Sequence, residues 1–258
     1  MSFLRLRQVC LVAEHLLPIE AQLRDVLGLV PCHREPGLAR FGLENVVMPL
    51  GKAFIEVVAP IAEGTAAGRF LQQKGGGGGY MLIFDCDDPL RYQARAKSLG
   101  IRVAHTTERG AYLGIQLHPR DTEGTFLEFN RTVGGESLDG PYHPAGPDWQ
   151  RYVNTEVCRD LRAAVIESAY PERIAQRWSA LFDLPLKAVG PEAPLVMPVD
   201  TACIRFTPHS GDQSFLSELE IEVNDPEATI QQASRNGCQP SPGGFRLGGV
   251  DFKVVPQT

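Results

Sequence analysis

The chain has 258 residues, 43% hydrophobic and 22% charged, the make-up of a globular protein long enough to bury a real core in one large domain or two ordinary ones. Its formal net charge of -6 and pI near 5.6 argue against a nucleic-acid binder, because affinity for phosphate backbone comes from clustered Lys and Arg and no such cluster occurs. No stretch approaches membrane-spanning length, and the N-terminus alternates in polarity without the apolar core of a signal peptide.

One signature recurs four times: an apolar strand, a short turn with a proline, an amphipathic helix, and a helix-ending Gly or Asp before another strand. The first copy runs from the strand at Gln8-Val-Cys-Leu-Val-Ala through a helix from Pro18 to Leu27 and on to Gly28. In the second, Met81-Leu-Ile-Phe-Asp-Cys precedes Asp87-Asp-Pro89, a helix through Leu99, and Gly100. The third has Ala163-Ala-Val-Ile-Glu-Ser, Pro171, a helix containing Trp178 and Leu181, and Asp183. The fourth has Glu218-Leu-Glu-Ile-Glu-Val, Asn224-Asp-Pro226, a helix through Asn236, and Gly237. Proline suits a first helical turn, where its missing N–H would have no partner, and glycine suits the left-handed residue after the last turn.

Each copy closes on an unusually apolar strand with a charged residue at the aligned position: Glu56, Glu128, Arg205 or Lys253. The expected architecture is therefore α+β, four βαβββ units in two similar domains. Residues 1–131 form the first, 132–160 an aperiodic linker rich in Gly, Pro and charge, and 161–258 the second. Asp121-Thr-Glu-Gly124 reads as a hairpin turn, and Gly75 to Gly79 as a flexible join between the first two units. The six cysteines show no CxxC pair and are read as reduced, in a cytoplasmic protein.

Aligning the copies places Gln8 and Met81 at one strand position and Glu56 and Glu128 at another, so these side chains are expected to converge. With the stretch Phe70-Leu-Gln-Gln-Lys-Gly and the run His118-Pro-Arg-Asp-Thr-Glu-Gly-Thr-Phe-Leu-Glu128, the pattern resembles the vicinal oxygen chelate superfamily, which includes glyoxalase I, methylmalonyl-CoA epimerase, extradiol dioxygenases and resistance proteins. The N-terminal domain looks most like methylmalonyl-CoA epimerase and, at the site, glyoxalase I.

That resemblance implies half-open barrels of paired βαβββ units, with one metal ligand on the first and last strand of each unit. Gln8, Glu56 and Glu128 match three of the four, and Met81 stands where the family has histidine. Zn, Ni, Co, Mn or Mg is the implied ion, but a thioether is a soft donor that hardly replaces an imidazole for such metals. No nucleotide cofactor is implied. Glu56 and Glu128 are the candidate catalytic residues; Tyr80, Met81 and His118 are the candidate substrate contacts.

The second domain carries Ala163, Arg205, Glu218 and Lys253 at the equivalent positions, a set that cannot hold a divalent metal and reads as a structural half, with Glu218 neutralised between the two cations, as an anion-binding pocket built on Arg205 and Lys253, or as an interface. The resemblance implies a lyase, isomerase or epimerase that forms an enolate from a small carbonyl compound or acyl thioester. The alternative is a metal-free binding protein of the resistance kind, and the third an extradiol dioxygenase. The expected partner is a small molecule rather than nucleic acid or membrane, and a homodimer stays open.

Overall fold

The computed structural model describes residues 2–188 and 193–257. The first repeat comprises β1 (Leu4–Val12), α1 (Leu16–Leu27), β2 (Leu43–Leu50) and β3 (Ala53–Pro60), followed by α2 (Ala66–Lys74). The second comprises β4 (Gly78–Cys86), α3 (Pro89–Ser98), β5 (Val103–Arg109), β6 (Tyr112–Leu117), the single turn α4 (Pro119–Thr122) and β7 (Phe126–Thr132). The third holds β8 (Cys158–Ser168), α5 (Pro171–Phe182), β9 (Lys187–Ala188), β10 (Leu195–Val199) and β11 (Ala202–Pro208). The fourth holds β12 (Phe215–Val223), α6 (Pro226–Arg235), β13 (Gln239–Ser241), β14 (Gly244–Leu247) and β15 (Val250–Pro256).

The α+β class expected from the repeats holds: the strands form two mixed sheets, β1 to β7 and β8 to β15. In the first repeat the strand after the helix is reduced to one bridge, His33 with Val47. No helix among the described residues is long and apolar enough to cross a membrane, and all six cysteines are free thiols.

The Asp-Pro pairs work as the sequence suggests. Asp88 accepts from Leu90 N and Asp225 from Ala228 N, each capping a helix whose next residue is proline. Asp121 to Gly124 does lie in the connection of a hairpin, β6 with β7, but that connection is a helical turn rather than a tight one. Pro119 starts the one-turn α4, which His118 caps by accepting from Arg120 N, and Glu123 leaves it at φ 58°.

The chain divides into two compact units, each joining one repeat from either half. One contains Met1–Arg7, Met81–Gly140 and Ala163–Ser217; the other contains Gln8–Tyr80, Pro141–Arg162 and Glu218–Thr258. Within the former, α3 packs on α5. Its core is aromatic: Tyr92 stacks on Phe129 at 4.3 Å, Phe182 meets Phe84 edge-on at 4.7 Å, and Trp178 Nε1 donates to Thr122 O at 2.7 Å.

Within the latter, α1 packs on α6, and Gln22 and Gln232 each donate to a backbone carbonyl of the opposite helix or its end, Asn236 O and Asp25 O. The glycine run read as a flexible join is a close approach instead. A Cβ on Gly77 would lie 2.9 Å from Val12 O, and one on Gly249 only 1.9 Å from Gly77 O, so these backbones meet where no side chain fits.

The segment 132–160, read as a linker, is tied down at both ends. In the former unit, the buried guanidiniums of Arg5 and Arg7 donate to the carbonyls of Glu136 and Leu138. In the latter, Tyr142 and Trp149 are 2% and 1% exposed and pack with Ala145 against Val47 and Phe54. Tyr142 stacks on Phe54 at 4.9 Å and Trp149 meets it edge-on at 5.0 Å.

Candidate functional site

The strand register confirms the alignment of the repeats in all four copies. Across the parallel first and last strands, Gln8 lies opposite Phe54, Met81 opposite Phe126, Ala163 opposite Cys203 and Glu218 opposite Asp251. In every case the charged residue of the last strand, Glu56, Glu128, Arg205 or Lys253, sits two positions beyond that partner. Side chains two apart on a strand share a face, so each pair singled out from sequence shares one face of its own strand pair.

In the first repeat Gln8 Nε2 donates to Glu56 Oε2 at 2.8 Å. Asn45, two residues from Val47, which lies opposite Glu56, donates its Nδ2 to Glu56 Oε1 at 2.6 Å. Gln8 Oε1 is buried with no hydrogen-bond partner. Phe54 is on the same face, so the Tyr142 and Trp149 rings cover part of the surface that carries Gln8 and Glu56.

In the second repeat, Glu128 is held by three neutral donors. Tyr112 Oη donates to Oε1 at 2.6 Å, Asn130 Nδ2 to the same oxygen at 3.1 Å, and Gln116 Nε2 to Oε2 at 2.8 Å. Asn45, Tyr112, Gln116 and Asn130 were not singled out from sequence. The available signal was polar residues at period two inside otherwise apolar strands.

The candidate substrate contacts divide. Met81 is buried and shares a face with Glu128, while Tyr80, the next residue on the strand, points to the opposite face and packs edge-on against Phe70 at 5.2 Å. Burial, chiefly, pushes the Tyr80 phenol well above its usual range. His118 caps α4 and lies 3.5 Å from the guanidinium of Arg102, which forks onto Asp121. In the fourth repeat Lys253 pairs with Glu220 at 3.2 Å rather than with Glu218, because the register sets Glu220 directly opposite it.

One further buried carboxyl lies on the face of Met81 and Glu128. Asp85 is 3% exposed, and burial raises its pKa to about 6, against the pull of Arg5 at 3.6 Å and of Arg7. A folded-state pKa above the ordinary 3.8 means that the folded protein holds this proton more tightly. The group therefore costs nothing below pH ~4 and costs most above pH ~6. Asp85→Asn is expected to gain on wild type by up to ~3 kcal/mol between pH 4 and pH 7, at 1.36 kcal/mol per unit. Urea titrations at the two pH values check it, and a difference that does not change with pH refutes it.

As arranged, these residues fall short of a divalent-metal site. Among the described residues no three His, Cys, Asp or Glu side chains group to hold an ion. The oxygens of Glu56 and Glu128 face amide and phenol donors, and Met81 contributes a thioether. The buried Gln8 Oε1, which has no hydrogen-bond partner, keeps the unsatisfied character of a waiting ligand.

No family model matches the chain. Its N-terminal half is 29% identical over 133 residues to an ethylmalonyl-CoA/methylmalonyl-CoA epimerase of Cereibacter sphaeroides, covering 49% of this chain and 97% of that protein. Two solved structures share the fold along nearly the whole chain. A variant of 4-hydroxymandelate synthase from Streptomyces coelicolor aligns with TM-score 0.69 at 16% identity, covering 94% of this chain and 78% of that one. The Mn(II)-bound glyoxalase from Novosphingobium aromaticivorans aligns with TM-score 0.66 at 11% identity, covering 99% and 83%. The fold along the chain is that of these two structures, and the N-terminal half is similar in sequence to the epimerase.

Proposed function

We propose that this protein moves a proton on the carbon beside the carbonyl of a small acyl thioester or related carbonyl compound, through an enolate. The observation that carries this reading is a buried glutamate held in place by neutral donors, as both Glu56 and Glu128 are by their amide and phenol neighbours. A carboxylate fixed in that way keeps its aim on one point, as a general base must. The N-terminal likeness to an ethylmalonyl-CoA/methylmalonyl-CoA epimerase supports acyl-CoA thioesters as the substrate class. The functional domain is proposed to be 1–131, with 161–258 as its structural companion.

The chemistry asks one glutamate to take the α-proton while the C–H electron pair forms the enolate C=C bond and the C=O π pair moves onto the carbonyl oxygen; a proton from water delivered to the opposite face inverts the carbon. No step is assigned to a metal. The test is incubation of the full chain with methylmalonyl-CoA and ethylmalonyl-CoA in D2O, followed by mass spectrometry. Deuterium should enter the α-position at a rate that chelator leaves unchanged, and added Mn, Co, Ni, Zn or Mg should not raise the melting temperature. Binding without exchange would instead favour the metal-free binding protein, and a melting temperature raised by one of these ions would restore the metal.

A further inference from the structure

We infer that Tyr112, laid over Gly114, is a positioning residue that makes Glu128 the proton acceptor of the proposed reaction, an assignment that rests on the proton-transfer reading above. The starting point is reach. Gln116 lies directly opposite Glu128 on β6, and Tyr112 is four residues earlier on the same strand face, about 13 Å away at ~3.4 Å per residue. A tyrosine standing perpendicular to the sheet at that position could not touch Glu128. Its hydroxyl nevertheless donates to Glu128 Oε1 at 2.6 Å, so the ring must lie along the strand.

Gly114, between the two, is what permits this. A Cβ there would stand 2.7 Å from Tyr112 Oη and 3.0 Å from its Cε1 and Cζ. No other residue type leaves that track open. Glycine in a strand interior weakens the strand and often marks a close approach of this kind.

The consequence is an asymmetry between the two oxygens of one carboxylate. Oε1 accepts from both Tyr112 and Asn130, which engages both of its in-plane lone pairs, whereas among the described residues Oε2 accepts from Gln116 alone. One lone pair of Oε2 is left to accept a proton, and the carboxylate plane is fixed by donors on both sides. Glu56 receives amide donors from Gln8 and Asn45, one to each oxygen. In the reaction the α C–H bond breaks toward Oε2 of Glu128, its electron pair forms the enolate C=C bond while the C=O π pair moves onto the thioester carbonyl oxygen, and the reverse step restores the C–H bond. No oxidant or reductant enters.

The test measures initial rates of α-deuterium incorporation into methylmalonyl-CoA across substrate concentrations for wild type, Tyr112→Phe, Gly114→Ala and the double variant. Tyr112→Phe keeps the ring and removes the donor; it should lower kcat about tenfold to a hundredfold, with KM held within about twofold and the melting temperature unchanged. Gly114→Ala should also lower kcat, by lifting the hydroxyl from Oε1. The double variant should fall no further than Gly114→Ala. Wild-type kcat in Tyr112→Phe overturns the inference and leaves the proton-transfer reading standing, and so does a loss confined to KM or stability. Absence of exchange in the wild type sinks that reading and the inference together.

Discussion

Glu128→Gln is expected to reduce α-proton exchange by at least about a hundredfold while the protein folds as before, the usual scale for removing a general base. Stability should survive because the donors around Glu128 are neutral. Gln116 and Asn130 can turn their amides over, and the Tyr112 hydroxyl can accept as readily as it donates, so the new amide finds partners and no buried cation is stranded. Glu56→Gln is the informative contrast. Turning over the Gln8 amide would bring its buried, unpartnered Oε1 onto the NH2 group of the new side-chain amide, satisfying an atom that lacks a hydrogen bond in the wild type. The Gln8 NH2 group then takes that atom's former place, so the variant should stay close to wild type in stability and retain more exchange than Glu128→Gln. Exchange rates and thermal melts on the two proteins decide it; equal and complete loss in both would show that the reaction needs two glutamates rather than one.

How far the sequence reaches follows from what kind of signal each feature leaves. Repeat boundaries were legible because helix caps and strand ends have local chemistry: Asp88-Pro89 and Asp225-Pro226 announce their helices, and Gly28 and Asp183 in left-handed conformation end theirs. The pairing of Gln8 with Glu56 was legible because the period-two alternation of parallel strands carries alignment directly into geometry. The donors to Glu128 were harder to see. Tyr112 reaches its carboxylate only because Gly114 is bare, a relation among three residues on two strands that no single position reveals. The glycine run failed for a related reason, since Gly77 and Gly249 are far apart in sequence and composition cannot show that their backbones meet. The pairing of Lys253 with Glu220 follows from a register that sets these two directly opposite each other and puts Glu218 opposite Asp251, and repeat alignment alone does not say which of two same-face carboxylates the cation takes.

The segment 141–153 was misread because its aromatic residues sit among Pro, Gly and charge with no periodicity, the usual mark of a tether. Its burial predicts the second large effect. Trp149→Ala should cost about 3–5 kcal/mol, the range for deleting a large aromatic side chain from a packed core. The reason is the stack it closes: Trp149 stands edge-on to Phe54, which in turn stacks on Tyr142, with Val47 and Ala145 completing the cluster. The protein's two tryptophans make the measurement direct, because Trp149 lies in the unit that contains Glu56 and Trp178 in the unit that contains Glu128. In Trp149→Ala the remaining fluorescence reports Trp178 alone, while amide exchange at Val46, Val47 and Glu56 reports the face that the segment covers. Loss of protection there at denaturant concentrations where Trp178 is still native would show that the segment holds down the Gln8 and Glu56 face. A cost below about 1 kcal/mol would return the segment to the status of a tether, since surface substitutions away from packed features stay within about half that.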